Sequence, residues 1–192
     1  MPASFVDHWE KLKKDCGDCR RCGLCDGRSR LVFGDGNERA KIMLIGEGPG
    51  EQEDRQGLPF VGPAGKLLDD MLEMIYLSRR DVYIANIVKC RPPHNRDPLP
   101  NEQAACLPWL RRQIELVNPA IFVFLGRVAA SAFIQDNFKI TRDHGKWFEV
   151  EGRPAMALYH PSALLRDPSK RPETFVDLKK LKKETDALHA EL

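Results

Sequence analysis

Four cysteines fall at every third position: Cys16, Cys19, Cys22 and Cys25. Cys90 and Cys106 bring the total to six. In a reducing compartment such a cluster more often binds metal than forms disulfides. Two or three of these thiols could instead be small buried residues, because free cysteine is often buried. Four thiolates suit zinc, and the C-x2-C-x2-C spacing also matches ferredoxin-type iron–sulfur clusters. The spacing favours a metal but chooses neither the metal nor the four ligands.

Two further segments carry chemistry. Gly46-Glu-Gly-Pro-Gly50 follows an apolar run and lets backbone approach a ligand closely. It lacks the Lys-Ser/Thr pair of a Walker loop and the spacing of a dinucleotide fingerprint, so a plain tight turn is the competing reading. His160-Pro-Ser-Ala-Leu-Leu-Arg166 places a histidine donor, two leucines and an arginine in one short stretch. Exposed leucines beside a phosphate-binding arginine form the apolar wedge of proteins that enter a DNA stack. Equally, Leu164 and Leu165 could cap the core while His160 satisfies a backbone group.

The elements that position these residues follow from periodicity. Residues 2–15 predict an amphipathic helix with Phe5, Trp9 and Leu12 on one face, followed by a Cys-rich loop to Arg28. Buried strands are predicted at 41–46, 82–88 and 120–125. Helices are predicted from Pro63 to Leu77, from about Asn101 with a kink or break at Pro108, and from Gly126 to Phe133. Residues 138–160 read as a hairpin region. A charged helix begins at Arg171 with Phe175, Leu178 and Leu181 inward. Alternating strands and helices imply a single domain over residues 1–192, a three-layer α/β/α architecture with a central, mostly parallel sheet. Ligands of such sheets bind at the carboxyl ends of the strands, which here carry Gly46–Gly50, Asn86–Arg91 and His160–Arg166.

Bulk properties exclude several classes. The chain has 192 residues, 42% hydrophobic and 30% charged, which is ordinary globular composition. No apolar stretch approaches the roughly 20 residues of a membrane span. The N-terminus lacks a secretory signal, so a cytoplasmic address is expected. A net charge of +2 does not announce a nucleic-acid binder, and DNA affinity would need a local patch.

Taken together, the motifs resemble the family-4, iron–sulfur uracil-DNA glycosylases. The matching stretches are Cys19-x2-Cys22-x-Leu24-x3-Arg28, Val32-Phe-Gly-Asp-Gly-Asn37, Gly46-Glu-Gly-Pro-Gly-Glu-Gln-Glu-Asp54, Gly57-x-Pro-Phe-Val-Gly62, Asn86-Ile-Val-Lys-Cys-Arg-Pro-Pro93 and His160–Arg166. They run in family order over nearly the whole chain. The resemblance implies a 4Fe–4S cluster on Cys19, Cys22, Cys90 and Cys106, structural in role, with Cys16 and Cys25 as extras. It also implies a monofunctional enzyme, expected to act as a monomer, that flips uracil out of single- or double-stranded DNA and hydrolyses its glycosidic bond. It names no docking partner such as a sliding clamp.

The resemblance assigns roles residue by residue. Gly46, Glu47, Gly48, Glu53, Phe60, Asn86 and His160 would hold uracil. Phe60 would offer a stacking face. Asn86 would read the polar edge of uracil and reject cytosine. His160 would donate to O2 of the leaving base. Glu47 would orient water or offset the sugar cation, in a loop where the better-known branch carries Asp at the position of Gly48. Glu53 would crowd the C5 position and exclude thymine, with Asp54 or loop backbone as the fallback. Ser162, Leu164, Leu165 and Arg166 would meet DNA. His94 lies where another branch traps uracil covalently, but without that branch's basic insertion, so turnover is expected. An electron carrier or a zinc-stabilised binding module would leave Phe60, Asn86 and the His160 segment unexplained.

Overall fold

The computed structural model describes residues 4–190. Six strands form one sheet: β1 (Asp35–Gly36), β2 (Ile42–Gly46), β3 (Val82–Asn86), β4 (Ile121–Leu125), β5 (Trp147–Val150) and β6 (Arg153–Leu158), in the order β1-β3-β2-β4-β6-β5. The four inner strands are mutually parallel, and the two edge strands pair antiparallel. β2, β3 and β4 are buried along their whole length, as strands covered on both faces must be.

Alternate residues of these strands feed two cores. Met43, Ile45, Tyr83, Ala85, Phe122 and Phe124 face α1 (Phe5–Gly17), α5 (Pro100–Val117) and α6 (Arg127–Phe133). Ile42, Leu44, Val82, Ile84, Val123 and Leu158 face α4 (Pro63–Glu73), α8 (Pro161–Arg166) and α9 (Arg171–Ala190). Three short helices complete the chain: α2 (Leu24–Gly27), α3 (Glu51–Gln56) and α7 (Ile140–Asp143).

Several local expectations change. The Cys-rich stretch is not all loop, because α1 runs on to Gly17 and buries Cys16, and α2 follows at Leu24. α4 stops at Glu73 rather than Leu77, and Tyr76 takes a left-handed conformation. α5 continues through Pro108. Its face of Cys106, Leu110, Ile114 and Val117 stays on the sheet, and that packing outweighs the roughly 3 kcal/mol cost of an internal proline. On α9 the inward face is Thr174, Leu178, Leu181 and Thr185, spaced by four, three and four residues. Phe175 is one residue off that stripe and is 39% exposed, so it does not face the core.

Candidate active site and cysteine cradle

The carboxyl ends of β2, β3 and β6 open into one cavity of about 390 Å³. Glu47, Gly48, Glu53, Phe60, Asn86, His160, Ser162 and Arg166 all line it. Two backbone bonds continue the β2–β3 pairing past the strand ends: Ile87 N–H to Gly46 O at 2.9 Å and Val88 N–H to Glu47 O at 3.1 Å. They fix the Glu47 loop against the strand that carries Asn86.

Asn86 is 2% exposed, and its Oδ1 has no hydrogen-bond partner among the described residues. A buried amide oxygen without a donor is costly, so the position points to an N–H supplied from outside the protein. Gly46 lets this group and the Phe60 ring come together. A Cβ there would lie 2.4 Å from Asn86 Oδ1 and 2.8 Å from Phe60 Cζ.

Phe60 has φ 54°, a left-handed conformation that bulky residues rarely adopt. Its neighbours hold it there. Arg79 donates to the carbonyls of Pro59, at 3.0 Å, and of Phe60, and is itself oriented by Asp69 at 2.7 Å. Glu53 Oε1 accepts from the N–H groups of Val61 and Gly62, both at 2.9 Å. Glu53 therefore clamps the Phe60 turn while also lining the cavity. Asp54 points elsewhere. It is buried and accepts the Ser29 N–H at 3.0 and 3.1 Å, so it is not available to exclude a methyl group.

His160 caps α8, and its Nδ1 accepts from the Ser162 N–H at 3.1 Å, with Ser162 Oγ at 2.7 Å. Burial, with Arg166 adding to it, lowers its pKa to about 4. The imidazole is thus neutral near pH 7 with its proton on Nε2, because Nδ1 is used as an acceptor. Its ring centroid lies 5.5 Å from that of Phe60. Burial pushes Glu47 up to about 7, with Asp97 adding to the shift and Arg127 and Arg166 opposing it.

The predicted leucine pair separates. Leu164 is 1% exposed and packs in the core with Leu178 and Leu181, whereas Leu165 is 39% exposed. The expectation of two exposed leucines is corrected: on one helical turn, only one of two adjacent residues can face the sheet. His94 is exposed, in a left-handed conformation, and is not among the residues lining the cavity.

A second, smaller cavity is lined by Cys19, Cys22, Cys25, Cys90 and Cys106, with Arg28, Lys89 and Trp109. Cys16 lies outside it, in the core, where burial pushes its thiol up to about 12. Three sulfurs receive N–H donors at 3.2 Å: Cys19 from Trp109 Nε1, Cys90 from Arg28 Nη1 and Cys106 from the Lys89 backbone. Among the described residues, no three potential ligands converge tightly enough to hold one metal ion. Five thiols line that one small cavity. Lys89 is fully buried, and among the described residues its ammonium meets only Gln113 Oε1, at 2.5 Å. A buried cation needs a counter-charge, and an anionic group held by these thiols would supply it.

The uracil DNA glycosylase superfamily model matches residues 33–183, most of the chain and all three strand ends that build the cavity. The chain belongs to that superfamily. It is 46% identical to the type-4 uracil-DNA glycosylase of Archaeoglobus fulgidus over 185 residues, covering 92% of each protein. It is 46% identical to the type-4 uracil-DNA glycosylase of Thermotoga maritima over 162 residues, 83% of this chain and 82% of that one. The type-4 uracil-DNA glycosylase of Sulfurisphaera tokodaii is 42% identical over 186 residues, 92% of this chain and 84% of that one.

In this superfamily member several functional side chains escape sequence reading. Arg79, Asp97, Arg127 and Trp109 sit in no motif, and each acts on a partner distant in sequence. Asp97 had one legible sign, its place in the Arg91–Pro100 loop after a strand end. No described helix is long and apolar enough to cross a membrane.

Proposed function

We propose that this member of the superfamily excises uracil from DNA as a type-4 enzyme, and that Asn86 reads the base. The unpartnered, buried Asn86 Oδ1 at the cavity wall carries this reading. Uracil offers N3–H to that oxygen, and its O4 accepts from the amide N–H. Cytosine presents an acceptor at N3 and a donor at C4, so both contacts turn repulsive. Phe60, pinned in its turn, supplies the face for the extruded ring. Glu53 stands beside it, holding the turn and narrowing the wall, and this suits exclusion of a C5 methyl.

As the C1′–N1 bond breaks, its electron pair stays on N1 and charge spreads to O2. The neutral His160 Nε2–H is a donor prepared for that oxygen. Water adds to C1′, and Glu47 in its carboxylate form orients that water and takes its proton. Arg166 and Ser162 meet the phosphodiester at the rim, and Leu165 fills the vacated stack.

Cys19, Cys22, Cys90 and Cys106 would hold a 4Fe–4S cluster. The lining thiols, the three N–H···S contacts and the buried Lys89 suit an anionic cluster. When bound, it would tie the N-terminal segment to the β3–α5 connection. Excision assays on oligonucleotides containing one uracil, cytosine or thymine test the reading. Release of uracil alone is expected, and no release from the uracil strand would sink it.

A further inference from the structure

Three arginines stand at the mouth of the cavity, and they are not equivalent. Arg96 is committed: it grips the buried Glu102 through both carboxylate oxygens, at 2.7 and 2.9 Å, and donates to Asp97 O at 2.9 Å. Arg166, at the end of α8, has no carboxylate partner among the described residues. Among the described residues Arg127, the first residue of α6, has one carboxylate partner, Asp97 of the β3–α5 connection. Both members of that pair are more than half exposed. An exposed ion pair of this kind contributes only about 0–1 kcal/mol, so a stronger anion can displace it.

The backbone before Arg127 is tied to the residue that meets the leaving base. Gly126 has φ 90°, and a Cβ there would come within 2.9 Å of His160 Cβ. Gly126 N–H also donates to Leu158 O at 2.8 Å. Arg127 is therefore held at a fixed offset from His160 on one side of the mouth, with Arg166 following from α8. A nucleotide whose base enters this cavity must leave its two flanking phosphates at the rim. One cation cannot serve both.

We propose that Arg127 is a second DNA-phosphate anchor, in addition to Arg166, and that Asp97 holds its place until DNA displaces it. The assignment rests on the uracil reading above. In the free protein Asp97 holds the guanidinium at the cavity mouth. On binding, a phosphate oxygen takes Arg127 by the bidentate contact arginine makes with phosphate. The displaced Asp97 carboxylate swings to solvent, so the exchange costs little and makes the entry selective for a strand with phosphates on both sides of the base.

The test is equilibrium binding, by anisotropy, of the full chain to a single strand whose uridine carries a 2′-fluorine that blocks excision, across a salt series, with uracil release followed on the unmodified strand. Arg127→Ala should weaken binding by about threefold or more at moderate salt and lower the salt slope by about one. Asp97→Ala should tighten binding, because the competing anion is gone. Replacing the phosphate 5′ or 3′ of the uridine with neutral methylphosphonate should identify the contact. At one of the two positions the replacement should cost the wild type affinity and cost Arg127→Ala nothing more. Unchanged affinity and slope in Arg127→Ala would overturn the anchor. Asp97→Ala binding no tighter than wild type would overturn the place-holder. Equal losses in wild type and Arg127→Ala at both methylphosphonates would overturn the phosphate assignment. A wild type that binds this strand but fails to release uracil from the unmodified strand separates failure of the uracil reading from failure of this one.

Discussion

The base cavity and the cysteine cradle lie at opposite ends of a four-residue step from Asn86 to Cys90, yet they are built on opposite principles. The cavity is open and rimmed with charge, and it leaves a polar atom deliberately unpaired. The cradle is small and closed, and most of its sulfurs already receive N–H groups. A site that must discriminate keeps its hydrogen bonds for the ligand. A site that must only hold provides them in advance. The short β3 extension carries both, so disturbance of the cradle should reach the base reader.

The sharpest way to break this contrast is at the cradle. Cys90→Ala or Cys106→Ala should lose the visible absorbance and iron of the purified protein and most of its activity, whereas Cys16→Ala and Cys25→Ala should keep them. Retained iron in Cys90→Ala, with loss in Cys25→Ala, would transfer the ligand role to the N-terminal run. At the cavity the main effect should be on chemistry. His160→Ala should slow single-turnover excision by roughly 100- to 1,000-fold on single and double strands alike, with iron unchanged and stability lowered only by loss of the α8 cap, about 0.5–2 kcal/mol.

Between these lies the leucine pair, which the two environments divide. Leu164→Ala empties a core position and should cost about 2–5 kcal/mol of stability in denaturant titrations. Leu165→Ala should leave stability alone and slow excision from duplex U·A more than from U·G, and from single strands least. Equal slowing on all three would remove Leu165 as a wedge.

The pH profile separates the two cavity acids. His160, with its pKa lowered to about 4, is neutral across the working range, so it gives no acid limb near neutrality. Glu47, raised to about 7, should gain its carboxylate as pH rises through about 7, and activity should rise with it. Glu47→Gln should flatten that limb, and an unchanged limb would assign it elsewhere. Stability moves differently. The folded state keeps His160 neutral while the unfolded chain protonates it below about 6.5, so its contribution is lost as pH falls from about 6.5 towards 4. The smallest effect belongs to Trp109→Phe, which removes one N–H donor from Cys19 and should shift the reduction potential of the proposed cluster downward while iron content holds.

How much of this was legible follows from where each interaction closes. The strand end at Gly46 was visible because an apolar run stops there and glycine begins, whereas the second strand, expected to run through Ile87 and Val88, instead ends at Asn86. The gathering of Glu47, Asn86 and His160 followed from parallel strands presenting the same ends. What lay hidden depends on pairs that no local pattern links. Trp109 reaches Cys19 across 90 residues of sequence from a neighbouring helix of the same layer, and Gln113 on that helix meets Lys89. Leu164 and Leu165 have equal hydropathy in sequence, and only the seating of α8 on the core tells them apart. Pro108 reads as a breaker because sequence reports its local cost and not the apolar face that repays it.

The cradle also sets an order of events in the making of this protein. Its proposed ligands begin at Cys19 and end at Cys106, on α5 beyond the second core strand. No iron can be fully enclosed while the ribosome is still delivering the first half of the chain. Lys89 would meanwhile wait as a buried cation without its counter-charge, which disfavours closing that layer early. Loading of the proposed cluster would thus wait for the β3–α5 connection, and chains made without it would carry a base reader complete in sequence but loosely held in space.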